Sequence, residues 1–210
     1  MRTSTERSRA RGKRGSYAKT EATRAAILDA ALEVFAQSGF RSGSLRDVAA
    51  KVGMSEAGML YHFPSKSALL AAVLERRDEH AQDFVPLGTH DPADTLRGLV
   101  DLADYNASVP GVVELYCILS AEATTPDHPA HTYFVTRYED TRRRVSEAFE
   151  RLRSEGRLRV EIDPTEAAVA TLSMMDGLQV QWLLDRDAVD MAESLRGFFR
   201  SIVEIDFPAT

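Results

Sequence analysis

The apolar residues of this chain recur at helical spacing over most of its length. Between Thr20 and Ser38 they stand at i, i+3, i+4, i+7 and i+8, which predicts an amphipathic helix that ends at Gly39. The residues of this stripe are Ile27, Ala30, Ala31, Val34 and Phe35. No segment alternates polar and apolar residues for long, so the pattern predicts an all-α protein of about nine helices without a sheet.

Residues 44–66 carry two short helix patterns on either side of a tight turn. Ser44 can cap the first helix with Asp47 completing a capping box, and Ser55 can cap the second. Gly53 stands at the turn, where a left-handed backbone is easiest for glycine. Two helices this short cannot bury their own apolar faces and need a third, which predicts a helix-turn-helix whose second helix would enter the major groove of DNA.

Helix signals continue through the second half of the chain. Ser65 can cap a long helix, and Asp91-Pro92 and Asp163-Pro164 are typical helix starts, with His128-Pro129 as a third candidate. Breaks at proline, glycine and aspartate residues separate the rest into five predicted helices. These cover residues 92–107, 110–124, 129–155, 164–184 and 188–205.

The last two predicted helices are apolar on more than one face. One face can pack on the rest of the chain, and the other must be buried against a further surface. Pairing with the same two helices of a second copy would give a four-helix interface with two-fold symmetry. Gly177 and Gly197 would allow the paired helices to approach closely. Burial of both helices within a monomer is the alternative.

The charge of the chain is unevenly distributed. The net charge is −6, yet residues 1–19 carry seven lysine and arginine side chains and one glutamate. This segment has few apolar groups and is predicted to be disordered without DNA. A basic arm on an acidic body is typical of nucleic-acid binding, although a solubilising tail would have the same composition.

The composition also indicates where in the cell the protein is expected. Hydrophobic residues make up 44% of the chain, but no apolar run approaches the roughly 20 residues that span a bilayer, and the N-terminus has no secretory signal. The single cysteine, Cys117, excludes an internal disulfide. We therefore expect a cytoplasmic protein without a membrane partner.

The first third of the chain resembles the signature of tetracycline-repressor-type (TetR family) regulators. The matching residues are Gly39-Phe40, Ser44 to Ala49, Gly53-Met54-Ser55 and His62 to Leu70. The resemblance implies a disordered basic arm (1–19), a three-helix helix-turn-helix DNA-binding domain (20–66) and a larger helical ligand-binding and dimerisation domain (67–210). It also implies a homodimeric transcriptional repressor that binds palindromic double-stranded DNA in a bacterial cytoplasm, with a small-molecule effector.

The predicted DNA contacts lie in the helix-turn-helix. Phosphate contacts are expected from Ser44, Ser55, Tyr61, His62 and Lys66, with capping or packing alone as the alternative for each. Base contacts are expected from Arg46, Glu56, Ala57, Gly58 and Tyr61. The family usually has an aromatic residue where Leu60 stands, and Tyr61 can take its place. Since this helix has few bidentate donors, phosphate contacts, the arm and DNA shape should supply much of the affinity.

The resemblance places an effector pocket between the helices of the second domain. The predicted lining residues are Leu102, Tyr105, Tyr116, Phe134, Tyr138, Met174, Met175, Gln179 and Trp182. Aromatic and methionine side chains favour a mainly apolar ligand, and ordinary core is the alternative for each residue.

Other chemistry is weakly indicated. Cys117 can be a redox sensor or buried filler, and Asp127, His128 and His131 can be metal ligands or serve capping and surface roles. No catalytic motif, cofactor motif or zinc motif is present, so we expect neither an enzyme nor a bound cofactor. An architectural DNA-binding protein without a specific operator is the main alternative, and a small helical enzyme a remote one.

We predict that deletion of residues 1–19 lowers DNA affinity and flattens its salt dependence. Each lost phosphate contact should reduce the slope of log affinity against log salt by about 0.9, because fewer counterions are released. Titration of labelled duplex at several salt concentrations measures the slope. An unchanged slope would exclude the arm from DNA binding.

Overall fold

The computed structural model describes residues 4–85 and 90–207, with side chains from residue 20 onwards. Within these ranges the chain forms nine α-helices and no strand, and an isolated bridge pairs Leu158 with Val203. The helices are α1 Ser4–Ser42, α2 Leu45–Val52, α3 Glu56–His62, α4 Lys66–Phe84, α5 Ala93–Ser108, α6 Pro110–Glu122, α7 His131–Ser154, α8 Pro164–Leu184 and α9 Met191–Ile202. The predicted all-α fold is confirmed. No helix in the described ranges is both long and apolar enough to cross a bilayer.

The first helix is longer than its predicted 20–38. It begins at Ser4, so the backbone of residues 4–19 is helical where the sequence predicts disorder. Arginine, lysine and alanine have high helix propensity, and no proline interrupts this segment. At Gly39 the backbone leaves the α region (φ 68°, ψ 173°), at the predicted helix end. The side chains of the basic arm lie outside the described part, so its role in DNA binding stays a prediction.

Side-chain caps start several helices where the sequence predicts them. Ser44 and Asp47 form the predicted capping box of α2, and Asp163 accepts hydrogen bonds from the Thr165 and Glu166 amides at the start of α8. The Ser65 hydroxyl accepts from the Ala68 amide at 3.1 Å in the first turn of α4. Each cap satisfies a backbone donor that would otherwise lack a partner.

Two helix starts differ from their predicted positions. The seventh helix begins at His131 rather than at residue 129, because His128 is part of a turn in which its Nδ1 accepts from the Ala130 amide at 3.2 Å. The ninth begins at Met191 rather than at 188, because the Asp190 carboxylate caps it by accepting from the Glu193 amide at 2.8 Å.

The chain divides into two compact units, Met1–Val73 and Leu74–Thr210. The predicted division at residues 66 and 67 comes earlier, because the first turns of α4 belong to the first unit. That unit buries apolar side chains from each of its four helices. These side chains include Ile27, Phe35, Val48, Met59, Phe63, Leu69 and Leu70.

The second unit has its own hydrophobic core. Buried side chains of α5, α7, α8 and α9 form one cluster that includes Leu96, Phe149, Trp182 and Phe199. The Phe149 and Phe199 rings are tilted with centroids 6.4 Å apart, an arrangement that aromatic pairs prefer to face-to-face stacking. This core holds α7 and α8 side by side and so positions the cavity described below.

We predict that Gly98→Ala destabilises the second unit by roughly 1–3 kcal/mol. A Cβ on Gly98 would overlap the Phe84 carbonyl oxygen and lie 3.1 Å from the Val85 Cα, so the end of α4 would have to move away from α5. Thermal and urea denaturation measure the loss of stability.

The matched control is Gly58→Ala in α3. A Cβ there meets the Ser55 Oγ at 3.4 Å, an ordinary contact, and alanine favours a helix over glycine. We expect this variant to keep or slightly raise the melting temperature. Equal stability of the two variants would contradict the close approach at Gly98.

Candidate functional site

The third helix presents one face to the core and the opposite face to solvent. Met59 and the following Phe63 are fully buried, whereas Tyr61 is 85% exposed. Glu56 and Ala57 are exposed on the same helix, Arg46 is exposed on α2, and Gly58 is half-buried. The predicted base-contacting side chains therefore lie on an exposed surface of the helix-turn-helix, which we call the recognition face (Arg46, Glu56, Ala57, Gly58 and Tyr61).

The two serines predicted to bind phosphate both act as caps. The Ser44 hydroxyl donates to the Asp47 carboxylate and accepts from the Asp47 amide at 3.2 Å. The Ser55 hydroxyl accepts from the Gly58 amide at 3.1 Å. Both hydroxyls therefore cap helices, and phosphate binding by either hydroxyl stays a prediction.

Lys66 and His62 are held by contacts within the first unit. The Lys66 ammonium donates to the Arg41 carbonyl at 3.3 Å and lies 4.4 Å from the centroid of the Phe40 ring. The His62 ring meets the Tyr61 ring edge-on at 5.4 Å. Both side chains are half-buried, and phosphate binding by either stays a prediction.

Arg24 is a residue that sequence reasoning missed. Its guanidinium donates to the His62 carbonyl at 3.0 Å and lies 4.2 Å from the centroid of the Phe63 ring. These contacts attach the end of α3 to α1. The periodicity of α1 places Arg24 on a polar face but does not reveal its partner.

The second unit contains a cavity of 430 Å³. It is lined by residues of α4, α5, α6, α7 and α8. Five of the nine predicted ligand-binding residues line it, namely Leu102, Tyr116, Tyr138, Met175 and Gln179. The other four, Tyr105, Phe134, Met174 and Trp182, do not.

These four side chains pack elsewhere. The Tyr105 ring lies 4.8 Å from the Phe84 ring, and Phe134 is buried with its ring 5.2 Å from that of Tyr116. Trp182 is buried in the core of the second unit, against which Met174 also packs. Composition does not distinguish these core residues from the cavity lining, because both sets are apolar or aromatic.

A group of charged side chains lies in the cavity wall, where the sequence predicts a mainly apolar lining. Asp78 accepts three hydrogen bonds on the same oxygen, Oδ1. The donors are the Arg77 Nη1 at 3.3 Å, the Tyr133 hydroxyl at 2.9 Å and the Arg137 Nη1. Sequence reasoning missed this group, because arginine on a helix usually faces solvent. The spacing of Tyr133 and Arg137, four residues apart on α7, was the available signal.

A second polar pair faces the cavity from α7 and α8. The Tyr138 hydroxyl donates to the Asp176 Oδ2 at 2.7 Å. Burial raises the pKa of Asp176, and this effect outweighs the hydrogen bond from Tyr138 and the attraction of Arg77 and Arg137. Burial together with Tyr116 and Asp176 also raises the pKa of Tyr138, so its hydroxyl keeps its proton and remains a donor.

Cys117 and the histidines have structural contacts. Burial and the nearby Asp176 raise the pKa of Cys117 to about 11, which disfavours the reactive thiolate that a redox sensor needs. The His131 Nδ1 donates to the Ala123 carbonyl at 2.8 Å. Across the described ranges, no three His, Cys, Asp or Glu side chains come together as a metal site would require.

Two family models match this chain. Residues 27–73 match the model of bacterial regulatory proteins of the tetR family. Residues 119–204 match the C-terminal model of BetI-type transcriptional repressors. Together the two ranges cover more than half of the 210 residues.

Similar proteins agree with these matches. The transcriptional regulator RutR of Escherichia coli K12 is 41% identical over 74 residues, which are 31% of this chain and 35% of RutR. The chain thus spans about a third of the length of the curated relatives it matches.

The solved structures extend the likeness to most of the chain. A TetR-family regulator from Agrobacterium tumefaciens has a TM-score of 0.74 at 20% identity, covering 88% of this chain and 99% of that one. A transcriptional regulator from Saccharomonospora viridis, solved in complex with choline, has a TM-score of 0.72 at 24% identity over 88% and 100% of the two chains. At these identities the likeness establishes the fold.

Proposed function

We propose that this chain, which belongs to the TetR family of DNA-binding transcriptional regulators, acts as a homodimeric repressor. Each dimer would bind a palindromic operator in the bacterial cytoplasm and release it when a small molecule enters the cavity of the second unit. The observation that carries the proposal is the recognition face, a solvent-exposed surface on a helix whose opposite side is fully buried.

The composition of the recognition face supports DNA binding with limited base readout. Arg46 is its one bidentate donor, able to grip guanine through two hydrogen bonds. Glu56 can accept from cytosine, and Ala57 can touch a thymine methyl. Tyr61 adds a large exposed ring with a hydroxyl that can reach a phosphate or a base. Phosphate contacts and DNA shape would supply the remaining affinity.

The exposed surface of α8 supports the homodimer. Val169, Val180 and Leu184 are large apolar side chains exposed along this helix, and Leu184 is 82% exposed. A Cβ added to Gly177 or Gly197 would meet no atom of another helix of the described chain within 4 Å. Packing within the chain therefore does not require either glycine, whereas a second copy could approach closely at both. Two-fold pairing would present two recognition faces to half-sites about one helical turn apart.

The cavity supports a small-molecule effector. Its volume lies within the range typical of ligand sites, and the fold neighbour from Saccharomonospora viridis was solved with choline. Effector binding can reach the DNA-binding unit along α4, a continuous helix. Its Leu69 and Leu70 are buried in the first unit, and its Arg77, Asp78 and Ala81 line the cavity.

Selection of bound duplexes from random DNA tests this function. We expect the full-length chain to enrich a palindromic site and to prefer it over random duplex in competition. Tyr61→Ala and Arg46→Ala should each weaken binding to that site by roughly 5- to 100-fold, the loss of one good contact. Equal affinity for selected and random duplex would favour the architectural alternative, and no DNA binding would exclude both.

Two variants serve as controls for this experiment. Tyr61→Phe keeps the ring and reports on the hydroxyl alone. Arg142→Ala removes a charge from an exposed position on α7 and should leave operator binding unchanged. Because Tyr61 and Arg46 are exposed, their alanine variants should unfold at nearly the wild-type temperature, which separates lost contacts from lost structure.

We predict that Val180→Glu converts the dimer to a monomer. The two-fold axis would bring the introduced carboxylates of both copies into one apolar interface, where neither has a partner. Light scattering after gel filtration measures the mass. Val135→Glu on α7 is the matched control, since Val135 is 51% exposed and Val180 is 48% exposed. A dimeric Val180→Glu variant would contradict the proposed interface.

A further inference from the structure

The cavity wall carries more positive than negative charge at its most polar point. Two guanidinium groups, of Arg77 and Arg137, share the single carboxylate of Asp78. Their side chains are only 9% and 20% exposed, so water screens them weakly. Arg137 nevertheless stays charged, because Tyr133, Tyr116 and Asp78 raise its pKa by more than burial lowers it.

The charged side chains of the whole lining are three arginines and three aspartates, so the positive surplus is local to the group around Asp78. Asp140 is exposed and pairs with Arg143 at 3.4 Å. Arg144 adds a third positive charge to the lining. Asp176 accepts a hydrogen bond from the Tyr138 hydroxyl at 2.7 Å, and burial raises its pKa. Both arginines also retain capacity to donate, because each guanidinium has five N–H groups.

The Tyr116 ring in the cavity wall is unsuited to a ligand cation. The Arg77 guanidinium lies 4.2 Å from the centroid of the Tyr116 ring, and the Arg137 guanidinium lies 5.8 Å from it. A quaternary ammonium group would need such a ring face for itself. Two protein cations already take that position on Tyr116.

The rest of the wall combines apolar side chains with neutral polar ones. Leu99, Leu102, Val145, Leu172 and Met175 line the cavity from α5, α7 and α8. A ligand that fills the cavity must therefore place an apolar body against these side chains while its polar group meets the arginines. The volume of 430 Å³ suits an apolar body of roughly six to twelve carbon atoms.

We propose that the cavity binds an organic monocarboxylate, whose carboxylate is held by Arg77 and Arg137 and whose apolar body packs on Leu99, Val145 and Leu172. Arginine binds carboxylate through two parallel charge-assisted hydrogen bonds, which gives both affinity and orientation. The inference deepens the proposed function, since this ligand would be the effector.

The test compares ligands that differ only in their charged group. We would titrate octanoate, octanamide and octyltrimethylammonium into the full-length protein without DNA, using calorimetry and thermal shift. Hydrocinnamate and its amide repeat the comparison with an aromatic body. Each acid should bind at least about tenfold more tightly than its amide, with the ammonium compound weakest. Equal or tighter binding of the amide or the ammonium compound, or no binding of either acid, would overturn the proposal.

A substitution locates the carboxylate. Arg137→Gln should reduce the affinity for octanoate about 10- to 100-fold and leave that for octanamide nearly unchanged, so the preference for the acid disappears. Arg142→Gln, on an exposed position of the same helix, should keep it. Arg137→Lys retains the positive charge but lacks the planar guanidinium, so its preference for octanoate over octanamide should be intermediate. This variant provides a second test if Arg137→Gln folds poorly. A preference unchanged in both Arg137 variants would contradict the assignment.

These measurements remain separate from the test of the repressor function. If the chain selects no operator but still prefers the acids, the repressor proposal fails and the carboxylate site stands. If a neutral or cationic compound releases a selected operator and neither acid binds, the carboxylate site fails and the repressor proposal stands.

Discussion

The burial of Met59 and Phe63 is the constraint on which the recognition face depends. A helix as short as α3 is not stable alone in water, because its few hydrogen bonds do not offset the entropy of ordering it. It persists because these two side chains are fully buried in the first unit and Ser55 caps its start. Once they are buried, helical geometry requires that Tyr61 and Ala57 point outward.

Arg24 connects the end of α3 to the first helix. By donating to the His62 carbonyl and covering the Phe63 ring, it ties the end of α3 to α1. A surface that reads DNA must be held rigidly, because hydrogen bonds to base edges tolerate little displacement. The same residues that stabilise the first unit thus also hold the helix that carries most of the recognition face.

The second unit contains both a hydrophobic core and a cavity. Rings and aliphatic side chains such as Phe149, Trp182 and Phe199 pack densely on one side of α7 and α8. The charged group around Asp78 lies on the cavity side, where hydrogen bonds and ion pairs compensate the cost of removing charges from water. The helix α4 contributes Asp78 to this group and also contributes Leu69 and Leu70 to the core of the first unit.

The sequence by itself determined the helices, their caps and the helix-turn-helix, because these depend on local propensity and on periodicity that can be read along the chain. Ser44, Ser65 and Asp163 cap the helices they were expected to cap. Only the tertiary structure decided which aromatic residues line the cavity, and it brought Arg77, Asp78 and Arg137 together in its wall. Contacts such as that of Asp78 with Arg137, 59 residues apart, arise from the packing of whole helices, and no local pattern records them.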